Sequence, residues 1–435
     1  MSTVRPIASN IYPILLFLSA MLVSAAAPAD EATIALRCGR IIDVVAGRAS
    51  GPATIVIRGE RIESIGNAPI PAGAAVVDLA SMTCLPGLMD LHSHIEINPD
   101  SLTGSDLGRS SAERALDGLH NAQTMLQAGF TTLRDVGAFD RYYATVAIRN
   151  AITSGRAIGP RLFVAPHLLG PTGGHGDFNA LAADLQIEVP TRVADGADEI
   201  RRTIREEVKY GADWIKVAAT GGVMSAGDNP HHTAYTEEEL RAAVDETHRL
   251  GRKITVHAIG TEGIRAAVRA GVDCVEHGTL IDDETIALMT QRGTCLVPTI
   301  YVANYIIDNG PQMGFPAESI AKGRALREAR DKHLRRAFAA GVKTAFGSDT
   351  IFPHGDAARE FAELVRLGVS NAEAVRAATV NAAQVLGIAD QVGTLERGKL
   401  ADIVAVNANP LEDIRTLEQV RFVMKGGRIV KQVAP

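Results

Sequence analysis

The most informative stretch of the chain is PGLMDLHSH, residues 86–94, in which a short apolar run leads into two histidines. Leu88–His92 is predicted to be a strand. Two histidines that are two positions apart on a strand point to the same side, so the imidazoles of His92 and His94 can reach one metal ion. A His-x-His pair alone is a weak signal, and its meaning depends on where its strand lies in the fold.

From about residue 85 onward, short apolar runs alternate with amphipathic helical patterns. Eight runs are predicted to be strands: Leu88–His92, Phe130–Asp135, Arg161–Ala165, Asp213–Val217, Lys253–His257, Val272–Glu276, Thr294–Thr299 and Val342–Gly347. Strands that alternate with helices indicate a parallel sheet, and eight such units predict a closed (β/α)₈ TIM barrel over residues 85–389.

The chain on either side of these units has short strand patterns without helical periodicity. Residues 29–84 and 390–435 are predicted to pair into one small β-sandwich. The predicted strands of these two segments are Thr33–Arg37, Ala53–Arg58, Ala75–Leu79, Ile403–Val406 and Arg421–Met424. The expected fold class is therefore α/β, a TIM barrel with a β-sandwich domain formed from both chain ends.

One helix illustrates the quality of the helical signal. Thr236 and Glu239 form a capping box, and Gly251 follows as a stop signal. Between them, Leu240, Ala243, Val244 and Thr247 recur on one face.

The first 28 residues have the layout of a cleaved secretory signal. Arg5 supplies a positive charge, an apolar run extends from Ile11 to Val23, and small residues follow. The alternative is an uncleaved membrane anchor, although the run is short for a bilayer span. We expect a periplasmic or secreted protein with no membrane association after signal cleavage.

Composition excludes some partners. The chain has 435 residues, a formal net charge of −6 and no conspicuous Lys/Arg run, so a nucleic-acid partner is not expected. Its four cysteines, Cys38, Cys84, Cys274 and Cys295, show no Cys-x-x-Cys spacing. An oxidising compartment permits disulfides, but each cysteine lies in or beside an apolar run, so we predict buried free thiols.

Metal-ligating residue types recur at the carboxyl ends of further predicted strands, which is where the active site of a barrel lies. Lys216 interrupts an apolar run, and a buried ammonium must be neutral, paired or modified. It is either a carbamate formed with CO₂ or the partner of a buried Asp. His257, His277 and Asp349 follow at later strand ends. Together with the His pair they predict a metal site, and imidazole and carboxylate ligands suit zinc.

These residues resemble the amidohydrolase superfamily, in its branch with two metal ions and a carboxylated lysine. Residues 86–94, Lys216, His257, His277, Gly347-Ser348-Asp349 and the tail motif within residues 393–404 carry the resemblance. It implies one divalent ion on His92, His94 and Asp349, a second on His257 and His277, and N6-carboxylysine at Lys216 as the bridge. Asp349 is the expected proton shuttle, and its alternative role is ligation alone.

Two loops indicate the substrate class. GPTGGHGD, residues 170–177, follows the third strand, and a segment with His232 and Tyr235 follows the fourth. This pairing resembles the group that includes Xaa-Pro dipeptidases, Xaa-Arg/Lys carboxypeptidases and ochratoxin-degrading amidohydrolases. By that resemblance His175 holds the substrate carboxylate and Tyr235 stabilises the oxyanion. His232 and His354 are further candidate substrate-binding residues. The alternative is that His175 and Tyr235 only order their loops.

The resemblance therefore implies an enzyme that cleaves the amide bond to a C-terminal amino acid. Dipeptides and N-acyl amino acids are the expected substrates, and ochratoxin A, an N-acyl phenylalanine, belongs to the same class. The nearest alternative is a cyclic-amide or lactone hydrolase on the same metals, and a more distant one is a non-catalytic scaffold. We also expect a homo-oligomer, because the family often forms them.

Overall fold

The computed structural model describes residues 32–97, 108–177, 179, 182, 184 and 192–433. The predicted signal segment, residues 1–28, lies outside this part of the chain. None of the helices within these ranges combines the length and the apolar character that a membrane span needs.

The two ends of the described chain meet in one eight-stranded sheet. Its strands are β1 (Thr33–Asp43), β2 (Arg48–Ser50), β3 (Ala53–Arg58), β4 (Arg61–Gly66) and β5 (Ala75–Pro86). Three more come from the C-terminal segment and are numbered after the parallel strands below: β15 (Ile403–Val406), β16 (Phe422–Lys425) and β17 (Arg428–Gln432). The order is β17-β16-β15-β5-β1-β3-β4, with β2 paired to β1. Apolar side chains from both ends, including Leu36, Ile55, Ile403 and Phe422, form its buried core.

A disulfide joins two strands of this sheet, so the prediction of four free thiols was wrong. Cys38 in β1 and Cys84 in β5 are bonded, with their Cα atoms 6.0 Å apart. The two strands run parallel to each other, which brings together cysteines that are 46 positions apart in sequence. Cys274 and Cys295 are free and buried, as predicted.

The middle of the chain contributes parallel strands that alternate with helices. They are β6 (Leu88–Ser93), β7 (Phe130–Asp135), β8 (Arg161–Val164), β9 (Leu168–Gly170), β10 (Arg192–Val193), β11 (Trp214–Ala218), β12 (Lys253–Ala258), β13 (Cys274–His277) and β14 (Cys295–Val297). They pair in the orders β6-β7-β8 and β10-β9-β11-β12-β13-β14. Every residue of β6, β7 and β11 is buried, as expected for parallel strands that are covered on both faces.

Single hydrogen bonds connect these two sheets. Asp213 N donates to Val164 O at 2.8 Å, which links β8 to the start of β11. The prediction of a regular eighth strand at Val342–Gly347 was wrong. This segment is extended but forms only an isolated bridge, between Leu296 and Thr344. It still joins β14 to β6, since Leu296 N donates to Lys343 O at 2.8 Å and Leu91 N donates to Phe346 O at 2.9 Å.

Eleven α-helices occur in the described ranges. They are α1 (Ser111–Gln127), α2 (Ala144–Thr153), α3 (Gly196–Lys209), α4 (Glu237–Arg249), α5 (Thr261–Ala270), α6 (Asp283–Arg292), α7 (Ile300–Met313), α8 (Ala317–Ala339), α9 (Glu360–Arg366), α10 (Asn371–Arg376) and α11 (Ala382–Leu386). The predicted capping box of α4 is confirmed, because Thr236 and Glu239 each accept from the other's backbone N–H.

Candidate metal centre

The two histidines of the first parallel strand face each other at its carboxyl end. The Nε2 atoms of His92 and His94 are 3.2 Å apart. Asp349 Oδ1 lies 3.5 Å from the first and 3.2 Å from the second. In the part of the chain that the structure describes, these three residues offer ligand atoms that all lie within 4.8 Å of one another. Two imidazole nitrogens and a carboxylate are a typical ligand set for zinc.

The hydrogen bonds at the Nδ1 atoms of His92 and His94 are those expected of histidines that bind a metal ion through Nε2. His92 Nδ1 lies 2.7 Å from Glu276 Oε2, and His94 Nδ1 lies 2.7 Å from the carbonyl oxygen of Gly137. Both partners are acceptors, so each Nδ1 carries the proton and donates it. A neutral ring then has its lone pair on Nε2, and two such lone pairs face each other beside a carboxylate. A cation between them removes this repulsion, so the residues fit a bound metal ion.

The other predicted ligands border the same cavity. His257, His277 and Lys216 line it together with the first three residues. The ring centroids of His257 and His277 are 4.5 Å apart, and the His277 ring is 5.1 Å from that of His92. Lys216 is buried in β11, and no described carboxylate oxygen lies within the 4.0 Å ion-pair limit of its Nζ. The alternative of a lysine paired with a buried Asp is therefore not observed.

Burial shifts the pKa values of Lys216, His257 and His277 toward their uncharged forms. It is the largest cause that lowers the pKa of Lys216 to about 8 and that of His277 to about 4. Burial, followed by the charges of neighbouring imidazoles, holds the pKa of His257 well below its usual value. Metal ligation requires lone pairs on nitrogen, and the addition of CO₂ to a lysine requires an uncharged amine.

The backbone around two of these residues is strained. His277 and Asp349 have φ angles of 67° and 57°, in the left-handed region. For residues other than glycine this conformation costs of order 1–3 kcal/mol, and such strain clusters at functional sites. Asp90 helps to hold the local geometry, because its buried Oδ1 accepts from the backbone N–H of His92 at 3.0 Å and of Ser348 at 3.1 Å.

Sequence reasoning did not identify Glu276, which supports His92 from behind. Its fully buried side chain accepts from His92 and also forms an ion pair with Arg134 at 2.5 Å. Arg134 in β7 therefore pairs with a residue on another strand, β13. The signal that identified Lys216, a charged residue within an apolar strand, also applies to Glu276.

The candidate metal ligands border a cavity of about 600 Å³. His175 lines it, and its ring centroid is 4.0 Å from that of His257. The His175 Nδ1 forms a hydrogen bond with Ser225 Oγ, which leaves Nε2 for contacts inside the cavity. The structure therefore places His175 in the wall of the same cavity as the candidate metal ligands.

Two of the predicted substrate contacts need correction. The phenol of Tyr235 is buried in the core and donates to Ala194 O at 2.8 Å, and Tyr235 does not line the cavity. This geometry contradicts a role as oxyanion stabiliser, because the hydroxyl is committed to a backbone carbonyl. His232 is exposed and does not line the cavity either, and its Nε2 lies 3.3 Å from Asn229 Nδ2.

His354 contacts a candidate metal ligand and does not lie in the cavity wall. Its ring is buried, and its Nε2 donates to the carbonyl oxygen of His94 at 3.1 Å. His354 is absent from the cavity lining, so the prediction of a direct substrate contact is corrected to a contact with the backbone of a candidate metal ligand.

Known proteins share this arrangement of elements. Residues 83–430 match the model of the amidohydrolase family. The ochratoxinase of Aspergillus niger is 36% identical over 372 residues, which cover 80% of this chain and 75% of that protein. A solved Xaa-Pro dipeptidase with methionine bound in its active site has a TM-score of 0.86 at 35% identity, covering 92% of this chain and 99% of its own. A prolidase complexed with N-methylphosphonate-L-proline has a TM-score of 0.85 at 33% identity, covering 92% and 100%.

The family match spans most of the chain and includes every candidate metal ligand. These relatives include an ochratoxinase and a Xaa-Pro dipeptidase, and they align over most of their own length. The scaffold alternative is therefore excluded. The chain belongs to the amidohydrolase family and is a hydrolase that acts on amide bonds.

Proposed function

We propose that this protein uses two divalent metal ions to cleave the amide bond to a C-terminal amino acid, in dipeptides and N-acyl amino acids. The observation that carries the proposal is the facing pair of imidazole nitrogens of His92 and His94 beside Asp349, at the base of a large cavity. The ochratoxinase, the dipeptidase with bound methionine and the prolidase with an L-proline derivative support the substrate class.

The proposal includes a closed (β/α)₈ barrel with a β-sandwich built from both chain ends. In support, hydrogen bonds run from β6 through successive parallel strands to β14, and residues 342–347 return to β6. The boundaries we propose are residues 29–84 and 390–435 for the sandwich and 85–389 for the barrel. In such a barrel the carboxyl ends of the strands form the catalytic face.

We assign the ligands by their position in the cavity wall. His92, His94 and Asp349 would hold one ion, and His257 and His277 would hold the other. Lys216 would bridge both as N6-carboxylysine, because its buried amine has no carboxylate partner among the described residues. The imidazole and carboxylate donors suit zinc.

When bound, the ions supply a water that is nucleophilic near neutral pH and polarise the amide carbonyl. Hydrolysis adds the water oxygen to the carbonyl carbon, breaks the carbon–nitrogen bond and leaves a proton on the departing nitrogen. We assign this proton transfer to the Asp349 carboxylate, which borders both the histidines and the cavity. The His175 Nε2 would donate a hydrogen bond to the substrate's C-terminal carboxylate.

We also propose that the protein is exported and acts as a periplasmic or secreted homo-oligomer on small substrates. Residues 1–28 would be the cleaved signal. The Cys38–Cys84 disulfide supports an oxidising compartment, because such bonds are rare in reducing ones.

The test is an assay of purified protein against Xaa-Pro and other dipeptides, N-acyl amino acids, cyclic imides and lactones. His92→Ala is expected to abolish hydrolysis with the fold retained. The matched control is His248→Ala, a histidine on α4 whose side chain is 43% exposed, and it is expected to keep full activity. Full activity of the His92 variant contradicts the metal-site assignment, and turnover of lactones or imides alone favours the cyclic-substrate alternative.

Asp349→Asn separates the two roles of the aspartate. The amide oxygen can still ligate a metal ion but cannot take up the proton, so metal content is expected to persist while kcat falls at least a hundredfold. Loss of the metal ion together with activity would instead indicate that ligation is the main role of Asp349.

A further inference from the structure

A buried arginine on α8 borders the cavity but has no part in the proposed metal centre. The Arg330 side chain is 4% exposed and lines the cavity. Its Nε donates to Asp331 Oδ1 at 3.0 Å, and its Nη2 donates to Asn304 Oδ1 at 2.8 Å. The remaining nitrogen, Nη1, has no hydrogen-bond partner among the described residues and is not sealed from solvent. Because Arg330 lines the cavity, we infer that Nη1 is the charged donor available to a ligand there.

The Arg330 guanidinium belongs to a series of ion pairs in which positive and negative side chains alternate, leading outward from the cavity. Arg330 pairs with Asp331, Asp331 pairs with Arg366, and Arg366 pairs with Glu363. Two carboxylates thus balance two guanidiniums, which compensates the burial of Arg330 within the protein. The member of this series of ion pairs that lines the cavity is the positively charged Arg330.

Along α8, Arg330 lies about two turns from Lys322, which contacts the residue that hydrogen-bonds His175. On α8, Lys322 Nζ donates to Ser225 O at 2.9 Å, and Ser225 is the residue that hydrogen-bonds His175. Arg330 follows Lys322 by eight positions on the same helix. At 1.5 Å per residue this spacing places the two positions about 12 Å apart along the helix axis. We therefore infer that a group bound by Arg330 and a carboxylate bound by His175 occupy separate positions in the cavity.

Apolar side chains cover much of the cavity wall. The wall includes Phe139, Val223, Met224, Val302, Ile306 and Leu326. A ligand that fills the cavity therefore needs a mostly apolar surface. Its polar groups must lie where the cavity wall offers a hydrogen-bond donor.

We propose that Arg330 forms a second anion-binding subsite, which recognises a carboxylate on the acyl side of the scissile amide. The inference rests on the proposed function, in which His175 holds the C-terminal carboxylate at the other end. Arg330 is then a specificity-determining residue and does not contact the reacting atoms. The preferred substrates are N-acyl amino acids whose acyl group ends in a carboxylate.

Substrate pairs of matched shape test this subsite. N-succinyl- and N-glutaryl-L-phenylalanine are compared with their acyl-end monoamides, which have the same size but no charge at that end. The protein is expected to prefer the carboxylate forms roughly ten- to hundredfold in kcat/KM, the range of a hydrogen bond to a charged group. The difference is expected in KM, since the scissile bond and its surroundings are identical.

Variants of Arg330 test whether this side chain causes the preference for the carboxylate substrates. Arg330→Gln is expected to abolish it, whereas Arg330→Lys, which keeps the charge, is expected to retain part of it. Arg324→Gln removes an exposed arginine of the same helix that does not line the cavity, and it is expected to change nothing. Thermal unfolding of each variant checks that the fold is intact. An unchanged preference in folded Arg330→Gln overturns the proposal.

A second pair distinguishes the two ends of the substrate. N-butanoyl-L-phenylalanine and its C-terminal amide differ only at the leaving residue, and Arg330→Gln is expected to leave their ratio unchanged. If this ratio collapses instead, Arg330 binds the C-terminal carboxylate and the acyl-end assignment is wrong.

A binding measurement separates this inference from the proposed function. Ketomethylene analogues of the succinyl pair, with CH₂ in place of the amide NH, cannot be hydrolysed. Calorimetry on the metal-loaded protein is expected to show tighter binding of the carboxylate analogue, and Arg330→Gln is expected to remove the difference. Equal affinity of the two analogues for the unmutated protein overturns the subsite whether or not the protein hydrolyses amides.

Discussion

The orientation of a single candidate ligand, His92, depends on one buried carboxylate. Glu276 Oε2 accepts from His92 Nδ1, and Glu276 Oε1 accepts from Arg134 Nη2. Arg134 is fully buried, with its guanidinium 4.5 Å from the Trp214 ring centroid. A carboxylate held in this way fixes both the tautomer and the rotation of the imidazole, which directs the Nε2 lone pair at the metal position.

We predict that Glu276→Gln weakens metal binding roughly 10- to 100-fold, because a neutral amide orients the imidazole less firmly and makes it less basic. Chelator competition with a zinc indicator measures this affinity. The matched control is Glu284→Gln, which removes an exposed carboxylate on α6. Equal metal affinity of the Glu276 variant and the unmutated protein would show that Glu276 does not orient His92.

For Tyr235→Phe we predict a loss of stability without a loss of catalysis. The variant leaves the buried Ala194 carbonyl without its hydrogen bond, which costs about 1–3 kcal/mol in the free energy of unfolding. Urea unfolding measures this cost, and steady-state kinetics should show an unchanged kcat. A hundredfold fall in kcat with normal stability would restore the oxyanion role.

Single residues differed in how well their positions could be predicted. His92 and His94 were predictable because strand periodicity alone sets their common direction. Tyr235 was not, because its hydroxyl has a partner, Ala194, that is 41 positions away in sequence. His354 likewise contacts a backbone carbonyl that only the folded chain brings close.

Local signals predict elements better than they predict partners. The bounds of β3, β7 and β15 agree with the sequence pattern, because dense runs of apolar residues define buried strands. The segment 342–347 has the same pattern but makes only one bridge with Leu296. Regular pairing depends on both neighbours, so the pattern of one segment cannot predict it.

At the N-terminus of α4, we predict that Thr236→Ala destabilises the protein by about 1 kcal/mol, because the side chain accepts from Glu239 N. Ser370→Ala, in the equivalent capping box of α10, is the companion variant and should show a similar loss. The measurement is the urea midpoint of each variant. No change in either midpoint would mean that these caps do not contribute to stability.

At the scale of the whole molecule, the eight-stranded sheet joins the two chain ends, because each end supplies only some of its strands. β15 pairs with β5, and β5 pairs with β1, so the C-terminal segment is bonded directly to the N-terminal one. The pairing of the two ends was predictable from their shared strand pattern. The Cys38–Cys84 bond was not, because cysteine spacing does not report which strands are neighbours.

We predict that Cys38→Ser/Cys84→Ser lowers the free energy of unfolding by about 2–4 kcal/mol, because the bond closes a loop of 46 residues in the unfolded chain. The double variant removes both thiols, so no new free cysteine is created. Thiol titration of the denatured, unreduced parent protein should find only Cys274 and Cys295. Reaction of all four cysteines would show that the disulfide is absent.

The central claim is that residues from separate strands converge on a pair of metal ions bridged by a modified lysine. A crystal structure with anomalous data at the zinc edge tests it most directly. We predict two peaks, one beside His92, His94 and Asp349 and one beside His257 and His277, with density for a carbamate on Lys216 between them. A bare amine at Lys216 with no peak beside either histidine group would contradict the account.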